Sequence, residues 1–566
     1  MNSMNYSVGI CLLHCRSSHH FPAPTLPTPI ATYATTTTPA APLPPTSLID
    51  QELLELPNLL TSCDAPAEVQ FTCENEVVQP LLKVAISAST YARWRLQLGE
   101  ATTALTGNET LILHLHRQGN LTPNLYLVER TGRRVNVPLA RYGLVEGEQT
   151  LAVPLREVKD EQGAWPDFAA VNELQIVFEW ADMAGELTLQ SLQFASAWQT
   201  EVGLNPETPM QVAGLQLPAG FVAEAVADAL QGMTQIQFTP DGTLWVSQQE
   251  GRIWRYQDVD GDGRYERRLL YGAGFPEIVG LLPDPVDGAL WVGGRGQLER
   301  TLDEDGNGAV DLREVRLEGL PWGRHQNNGL AWNPLPDPFS GETHYHWLYF
   351  GLGSTEDLGV GGEYNATVLR FPRTGQGQAD LQIVSRGNRN AYTVLWAPVP
   401  VDPANPTGAT RWQLFASENG PDFNNAPDEV NHIRWQHNYG FPDQFGPVAA
   451  PAVEGQPYSG PVYAVPPHSS ADGLTYITNP AWPLEYRTLY VSLFGQIFNP
   501  DIVGHTVERI TLSAEQIGDE TTYRGVPSTF VAGLDRPLPL TVDVNGNLIV
   551  GDYATGIIYR VRYVAE

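Results

Sequence analysis

From about residue 210 onward one unit recurs, and this repeat constrains the fold more than any other feature of the chain. An apolar strand pattern leads into a turn, often Asp-Gly or Asn-Gly. A second strand with an aromatic or apolar centre follows, then a polar stretch and a further strand. The first copy reads IQFTPDGTLWVSQQEGRIWRY and the second LLPDPVDGALWVGGRGQLERTL. The third is divided into LAWNPLPD, HWLYFGLGS and TVLRF, the fourth into VLWAPV, WQLFASENG and NHIRW, and the fifth into LTYITN, TLYVSLFG and VERITL. The last is LTVDVNGNLIVGDYATGIIYRVRY. Six copies over roughly 350 residues leave roughly 60 residues each, enough for four short strands and their loops. One such unit alone keeps exposed edges and an unburied face, whereas six arranged radially bury the faces and leave only short edges. Asp241-Gly242 and Asn545-Gly546 suit the positive φ angles of tight hairpins. The expectation is an all-β chain with a six-bladed β-propeller over residues 206–566.

Residues 50–205 carry a different pattern. TLILHLHR, LYLVER, TLAVPL, LQIVFEW and ELTLQSLQF alternate apolar and polar residues, and Gly107-Asn108, Gly119-Asn120 and Thr131-Gly132 mark turns between them. This predicts an antiparallel, jelly-roll-like β-sandwich. Its close, an apolar strand, a Gly turn and then LTLQSLQF, resembles galactose-binding-like carbohydrate modules. That resemblance implies a polysaccharide partner for this domain; the other reading is a spacer without a ligand. Residues 1–49 hold the stretch FPAPTLPTPIATYATTTTPAAPLPPT, which cannot bury a core, and are expected to be a disordered N-terminal segment and Pro/Thr-rich linker.

Four cysteines occur, Cys11, Cys15, Cys63 and Cys73. Cys63 and Cys73 flank a stretch short enough to close as a small disulfide loop, which would fit an oxidising compartment; the sequence leaves that pairing open. The absence of a CxxC pair argues against a thiolate zinc site. No apolar run is long enough to span a bilayer, and the patch from Val8 to Leu13 lacks a cationic flank. An extracytoplasmic location is the expectation, although no export signal is plainly visible.

The formal net charge is -31, which repels phosphate backbones and argues against nucleic-acid partners. Carboxylates also supply calcium sites, and two segments have the spacing of EF-hand-type loops. Asp303, Asp305, Asn307, Asp311 and Glu314 fall at the first, third, fifth, ninth and twelfth positions of one, with Gly308 at the sixth. Asp258, Asp260, Asp262 and Glu266 with Gly263 form the other, where Leu269 replaces the terminal carboxylate and weaker binding is expected. In a propeller such loops join strands, and a bound Ca²⁺ would be structural. The plainer reading of each is a solvated acidic turn.

Four polar clusters follow strands at places where a propeller aims residues toward its axis. They are Arg324 to Gly329, Arg386 to Asn390, Glu418 to Asp422 with Asp428, Glu429 and Asn431, and His468 to Gly473. Any one of them alone reads as turn chemistry. Four on successive copies are what a small-molecule site requires, and a histidine among arginines and carboxylates can serve as a general base.

HQNNGLAWNP, GNRNAYTVLWAP and ENGPDFNNAPDEVNHIRWQHNYGFP resemble motifs of the soluble quinoprotein glucose dehydrogenase and sorbosone dehydrogenase family. LPAGFVAEAVADAL resembles the family's opening segment, and PHSSADGLTYIT and GLDRPLPLTVDVNGNLIVGDYATGIIYRV resemble its last blades. The resemblance implies oxidation of a sugar, or a related polyol or aldehyde, with pyrroloquinoline quinone (PQQ) and Ca²⁺, and transfer of electrons to an external acceptor. By motif, His325 would take the hydroxyl proton and Asp428 would be an active-site carboxylate. Arg389 and Asn390 would bind the quinone oxygens, Arg536 would pair with a cofactor carboxylate, and the carbonyls of Gly420 and Pro421 would ligate the axial Ca²⁺.

The chain also departs from the family's glucose-oxidising members. The second blade offers no equivalent of their glutamine, and SLFGQIFNP lacks their lysine. Ser354 stands where they support the histidine with an aspartate, Arg324 replaces an acid and Leu538 an arginine. Two other readings therefore stand beside the dehydrogenase: a non-catalytic propeller that binds a glycan or protein, and a calcium-dependent lactonase-like hydrolase.

Overall fold

The computed structural model describes residues 60–564 apart from intervening segments, the longer of which are 65–69, 73–81, 99–109, 159–165, 202–211, 448–454 and 497–502. The linker expected over residues 1–49 lies outside the described residues, as do Cys73, Asp305 and Asn307. Among the described residues, regular structure is strand apart from short 3-10 turns, and no helix is long and apolar enough to cross a membrane.

The alternation in the N-terminal region builds two five-stranded antiparallel sheets that form the expected sandwich. Val171–Glu179 lies central in one, between Tyr91–Gln97 and Asn124–Glu129. Gly185–Ala195 lies central in the other, between Leu82–Ile86 and Thr110–Gly119. Strand side chains alternate faces, so every second residue enters one core: Ala92, Trp94 and Leu96 from one strand meet Leu174, Ile176 and Phe178 from its neighbour.

The repeats build six further antiparallel sheets, the six blades expected. Their innermost strands are Met233–Phe238, Ile278–Pro283, Asn327–Trp332, Ala391–Pro400, Ala471–Tyr476 and Pro537–Val542, which number blades one to six. Each inner strand touches the next, and the sixth touches the first, so the ring is closed. Between neighbouring blades the inward apolar residues form separate small cores, such as Trp291, Leu330, Leu348 and Phe371 between blades two and three.

Blade six is made from both ends of the propeller. Phe221–Ala227 pairs with Ile558–Tyr563 as its outermost strand, with Phe221 opposite Tyr563. Glu224, 3% exposed on that strand, accepts fork-like bonds from Arg560 (2.9 and 3.1 Å) and Arg562 (2.6 and 2.9 Å). Burial alone would raise the Glu224 carboxyl; the two guanidinium groups outweigh it and hold the carboxyl below its ordinary value.

Candidate active site at the propeller axis

The strand registers decide which residues surround the axis. In every blade the first residue of the inner strand lies opposite the last residue of the second strand: Met233 opposite Gln248, Ile278 opposite Gly294, Asn327 opposite Leu352, Ala391 opposite Glu418, Ala471 opposite Leu493 and Pro537 opposite Asp552. The segments just before inner strands and just after second strands therefore share one face of the ring. Each inner strand also carries a register shift within its first residues, an irregularity of the kind that re-aims side chains. Three of the four polar clusters run directly into inner strands, and Glu418 to Asp422 leaves a second strand on the same face.

His325 is 1% exposed. Its Nδ1 lies 2.8 Å from the carbonyl oxygen of Ser354. A carbonyl only accepts, so Nδ1 carries the proton, and in the neutral imidazole Nε2 is then the nitrogen with the lone pair. The departure at Ser354 is thus met by the backbone, which does the orienting whatever the side chain. Gly353 makes room for the ring: a Cβ there would come 2.4 Å from the His325 Cβ and 2.6 Å from Asn390 Oδ1.

Asn390 belongs to a chain of amides running through three blades. Asn328 Nδ2 donates to Asn390 Oδ1 (2.7 Å), Asn390 Nδ2 to Asn419 Oδ1 (2.7 Å), and Asn419 Nδ2 to Asp472 Oδ1 (3.0 Å). Asp472 Oδ2 also accepts from Ser470 Oγ (2.9 Å). Fully buried Arg389 donates from Nη1 to the Asn419 carbonyl (2.7 Å), and its own N–H goes to Glu418. It lies among the acids Asp357, Glu418 and Asp428.

Both oxygens of Asp428 accept backbone N–H groups, from Gly420 (2.6 Å) and Ser470 (2.7 Å), so this carboxylate ties two loops together. Burial pushes its pKa up to about 7 against those bonds, and does the same for Asp472. Glu418 and Glu429 are bridged by Asn431 Nδ2, 3.0 Å from each. Burial and mutual repulsion hold Glu418 well above the ordinary carboxylate range, while burial takes Glu429 to about 7. The acids of this region thus bond to backbone and amide donors.

The rest of the ring includes residues that the motifs did not single out. Glu277 immediately precedes the inner strand of blade two, the place His325 and Asn390 hold near theirs. It accepts from Gln249 Nε2 (2.6 Å), its carbonyl accepts from Gln326 Nε2 (3.0 Å), and it pairs with Arg295. Tyr553 OH reaches Gln249 Oε1 (2.8 Å), and the Arg536 guanidinium lies 5.0 Å from the Phe494 ring centre. At the rim, Arg324 pairs with Asp422 (3.0 Å) and Asp357 (3.4 Å), and His468 Nδ1 is 3.7 Å from Asp422. Partial burial lifts the Asp357 carboxyl to about 6 despite Arg324 and Arg389 nearby.

The residues present fit a carboxylate-bearing cofactor and a hard cation. Arg536 Nη1 is buried and has no hydrogen-bond partner among the described residues, an open donor for a carboxylate. Gly420 and Pro421 are buried, and neither carbonyl accepts a hydrogen bond from a described residue, which suits oxygen ligation of Ca²⁺. In the stretch SLFGQIFNP, Gln496 Oε1 is likewise buried without a hydrogen-bond partner among the described residues.

The two acidic loops lie away from the axis, between third and fourth strands, and share one hydrogen-bond pattern. Asp258 accepts from the N–H groups of Gly261 and Gly263, and Asp303 from those of Gly306 and Gly308. Glu266 accepts from Val259, and Asp311 from Glu304. Each loop then docks on the preceding blade: Tyr265 N–H donates to Val226 and Val310 N–H to Tyr271. Asp258, Asp260, Asp262 and Glu266 bring carboxylate oxygens within 4.8 Å of one another. Glu314 instead pairs with Arg300 (2.9 Å) and Arg316 (3.4 Å), and Leu269 packs with Ala309 of the other loop.

The chain matches no protein-family model and no curated protein. Among solved structures it is similar to a putative oxidoreductase (glucose dehydrogenase) of Thermus thermophilus, at 21% identity over 61% of this chain and 100% of that one, with a TM-score of 0.44. It is similar to the PQQ-bound aldose sugar dehydrogenase of Streptomyces coelicolor, at 20% identity over 61% and 100% of the two chains and a TM-score of 0.45. It is also similar to the PQQ domain of the pyranose dehydrogenase of Coprinopsis cinerea, at 13% identity over 62% and 98%, with a TM-score of 0.47. The structural neighbours of this chain are thus sugar dehydrogenases, PQQ-dependent among them.

Proposed function

We propose that the protein oxidises a sugar, or a related polyol or aldehyde, in a PQQ- and Ca²⁺-dependent reaction at the propeller axis. The observation that carries this reading is His325: a buried imidazole whose Nδ1–H is fixed on the Ser354 carbonyl, leaving Nε2 as the proton acceptor. Nε2 takes the proton of the substrate hydroxyl. Arg536 would hold a cofactor carboxylate, Arg389 and Asn390 would lie by the quinone, and the Gly420 and Pro421 carbonyls would ligate Ca²⁺. When bound, PQQ supplies the acceptor for the hydride of the adjacent carbon, and Ca²⁺ holds and polarises it. The amide chain from Asn328 to Asp472 keeps three blades in register around that pocket, and Asp428 holds the Gly420 loop against the Ser470 loop.

The test is to purify the protein without cofactor and titrate PQQ with Ca²⁺ by absorbance. Dye-linked oxidation of an aldose panel is then followed. Saturable binding and turnover are expected, and absence of both overturns the reading. His325→Ala should abolish turnover and keep cofactor binding; loss of both would make the histidine structural.

A further inference from the structure

The rim between blades two and three carries an aromatic surface that the proposed chemistry does not use. Trp322 is 53% exposed, three residues before His325. Gly323 N–H bonds back to the His325 carbonyl (2.9 Å), so the intervening chain is folded tightly. The indole lies on the hairpin that leaves the second strand of blade two, on the site face: a Cβ on Gly296 would sit 2.8 Å from Trp322 Cδ1, and Leu320 N–H bonds to Gly296 O (3.0 Å). The Arg295 guanidinium stands 5.2 Å from the indole centre, half-exposed, and is held by Glu277. A half-exposed tryptophan elsewhere would need no explanation. Here it is set beside a guanidinium that a carboxylate holds, three residues from His325 along the chain.

That combination matches the two kinds of surface on a pyranose. Its axial C–H face is apolar and packs flat on an aromatic ring, while its equatorial hydroxyls need charged or amide partners. Arg295 and Glu277 neutralise one another, so the match is to a neutral saccharide rather than to a uronate. We propose that Trp322 is the platform for a second pyranose ring. The site then takes di- and oligosaccharides by the end that His325 addresses, with the next ring stacked on the indole. This rests on the dehydrogenase reading for which ring is oxidised, and not for the stacking itself.

The test measures glucose and maltose binding by calorimetry, with and without PQQ and Ca²⁺, in the wild type, Trp322→Ala and Trp322→Phe. Maltose should bind more tightly than glucose. The maltose-to-glucose affinity ratio should fall about tenfold in Trp322→Ala, as expected for re-exposing roughly 50 Å² of apolar surface, and less in Trp322→Phe. Saturation-transfer NMR should mark the non-reducing ring as the one against protein aromatic protons, and lose that mark in Trp322→Ala. No maltose preference, no sugar binding under either condition, or a preference that survives Trp322→Ala overturns the proposal. Failure of PQQ to bind while the Trp322-dependent preference persists would instead remove the dehydrogenase reading alone.

Discussion

Gly353→Ala tests whether the position of His325 matters. Gly353 does not have positive φ, so alanine is not strained by the backbone, and the effect is purely one of space. Ordinary contact begins near 3.4 Å, and the new methyl would stand 2.4 Å from the His325 Cβ and 2.6 Å from Asn390 Oδ1. The imidazole must therefore retreat by about 1 Å, and the amide chain through Asn390 by slightly less. Overpacking of this kind costs roughly 1–3 kcal/mol of stability. A misplacement of about 1 Å at the reacting centre costs on the order of a hundredfold in rate. Thermal unfolding and dye-linked turnover should thus separate: a fall of a few degrees in Tm, against loss of nearly all activity. Gly377→Ala is the control, because its backbone is extended and no atom lies within 4 Å of the added methyl. Full activity in Gly353→Ala with a normal Tm would refute the argument, since the base would then tolerate the shift that the added methyl forces on it.

Three further outcomes are expected. Asp472 titrates near 7 in the folded protein, above its ordinary value, so its contribution to stability is present at low pH and lost as pH rises through about 7. Asp472→Asn should therefore gain on the wild type between pH 4 and 8, by on the order of 1–4 kcal/mol in urea unfolding; parallel profiles would contradict this. Glu224→Gln leaves Arg560 and Arg562 without their carboxylate at the seam of blade six, which should cost about 3–5 kcal/mol at most, less for the partly exposed Arg562. Amide exchange should rise first in Phe221–Ala227, and uniform exchange would count against a local opening. Arg536→Met should weaken PQQ binding about 10–100-fold, the loss of one charge-assisted bond; unchanged affinity would place the cofactor carboxylate elsewhere.

Much of the architecture is legible because its causes are local. Period-two alternation and Asp-Gly turns mark the strands, so the blade count and the sandwich follow from neighbouring residues. The polar clusters are legible for the same reason, since they sit beside those strands. What cannot be read are pairings between residues distant in sequence. The motif makes Asp428 an active-site acid, and only the fold brings the N–H groups of Gly420 and Ser470 onto its two oxygens. Ser354 reads as a lost aspartate because a sequence displays side chains, whereas the partner of His325 is a main-chain carbonyl. Glu277 escapes a search for a glutamine, although its place just before an inner strand could have marked it. Glu314 has the spacing of a loop ligand, and Arg300, opposite it on the neighbouring strand, engages it.

The seam in blade six also sets the order in which the protein can be made. Phe221 and its partner Tyr563 are about 340 residues apart, so at typical synthesis rates the first strand waits on the order of 20–70 s for the strand it pairs with. During that time FVAEAVA, almost wholly buried in the finished ring, has an open edge in water. Five blades can assemble on the ribosome, and none of them supplies the missing neighbour. A nascent chain that stops before Ile558 therefore leaves the outermost strand of blade six without the strand it pairs with. The pairing that completes blade six is thus the longest-range contact of the propeller, and contacts of that kind form slowly.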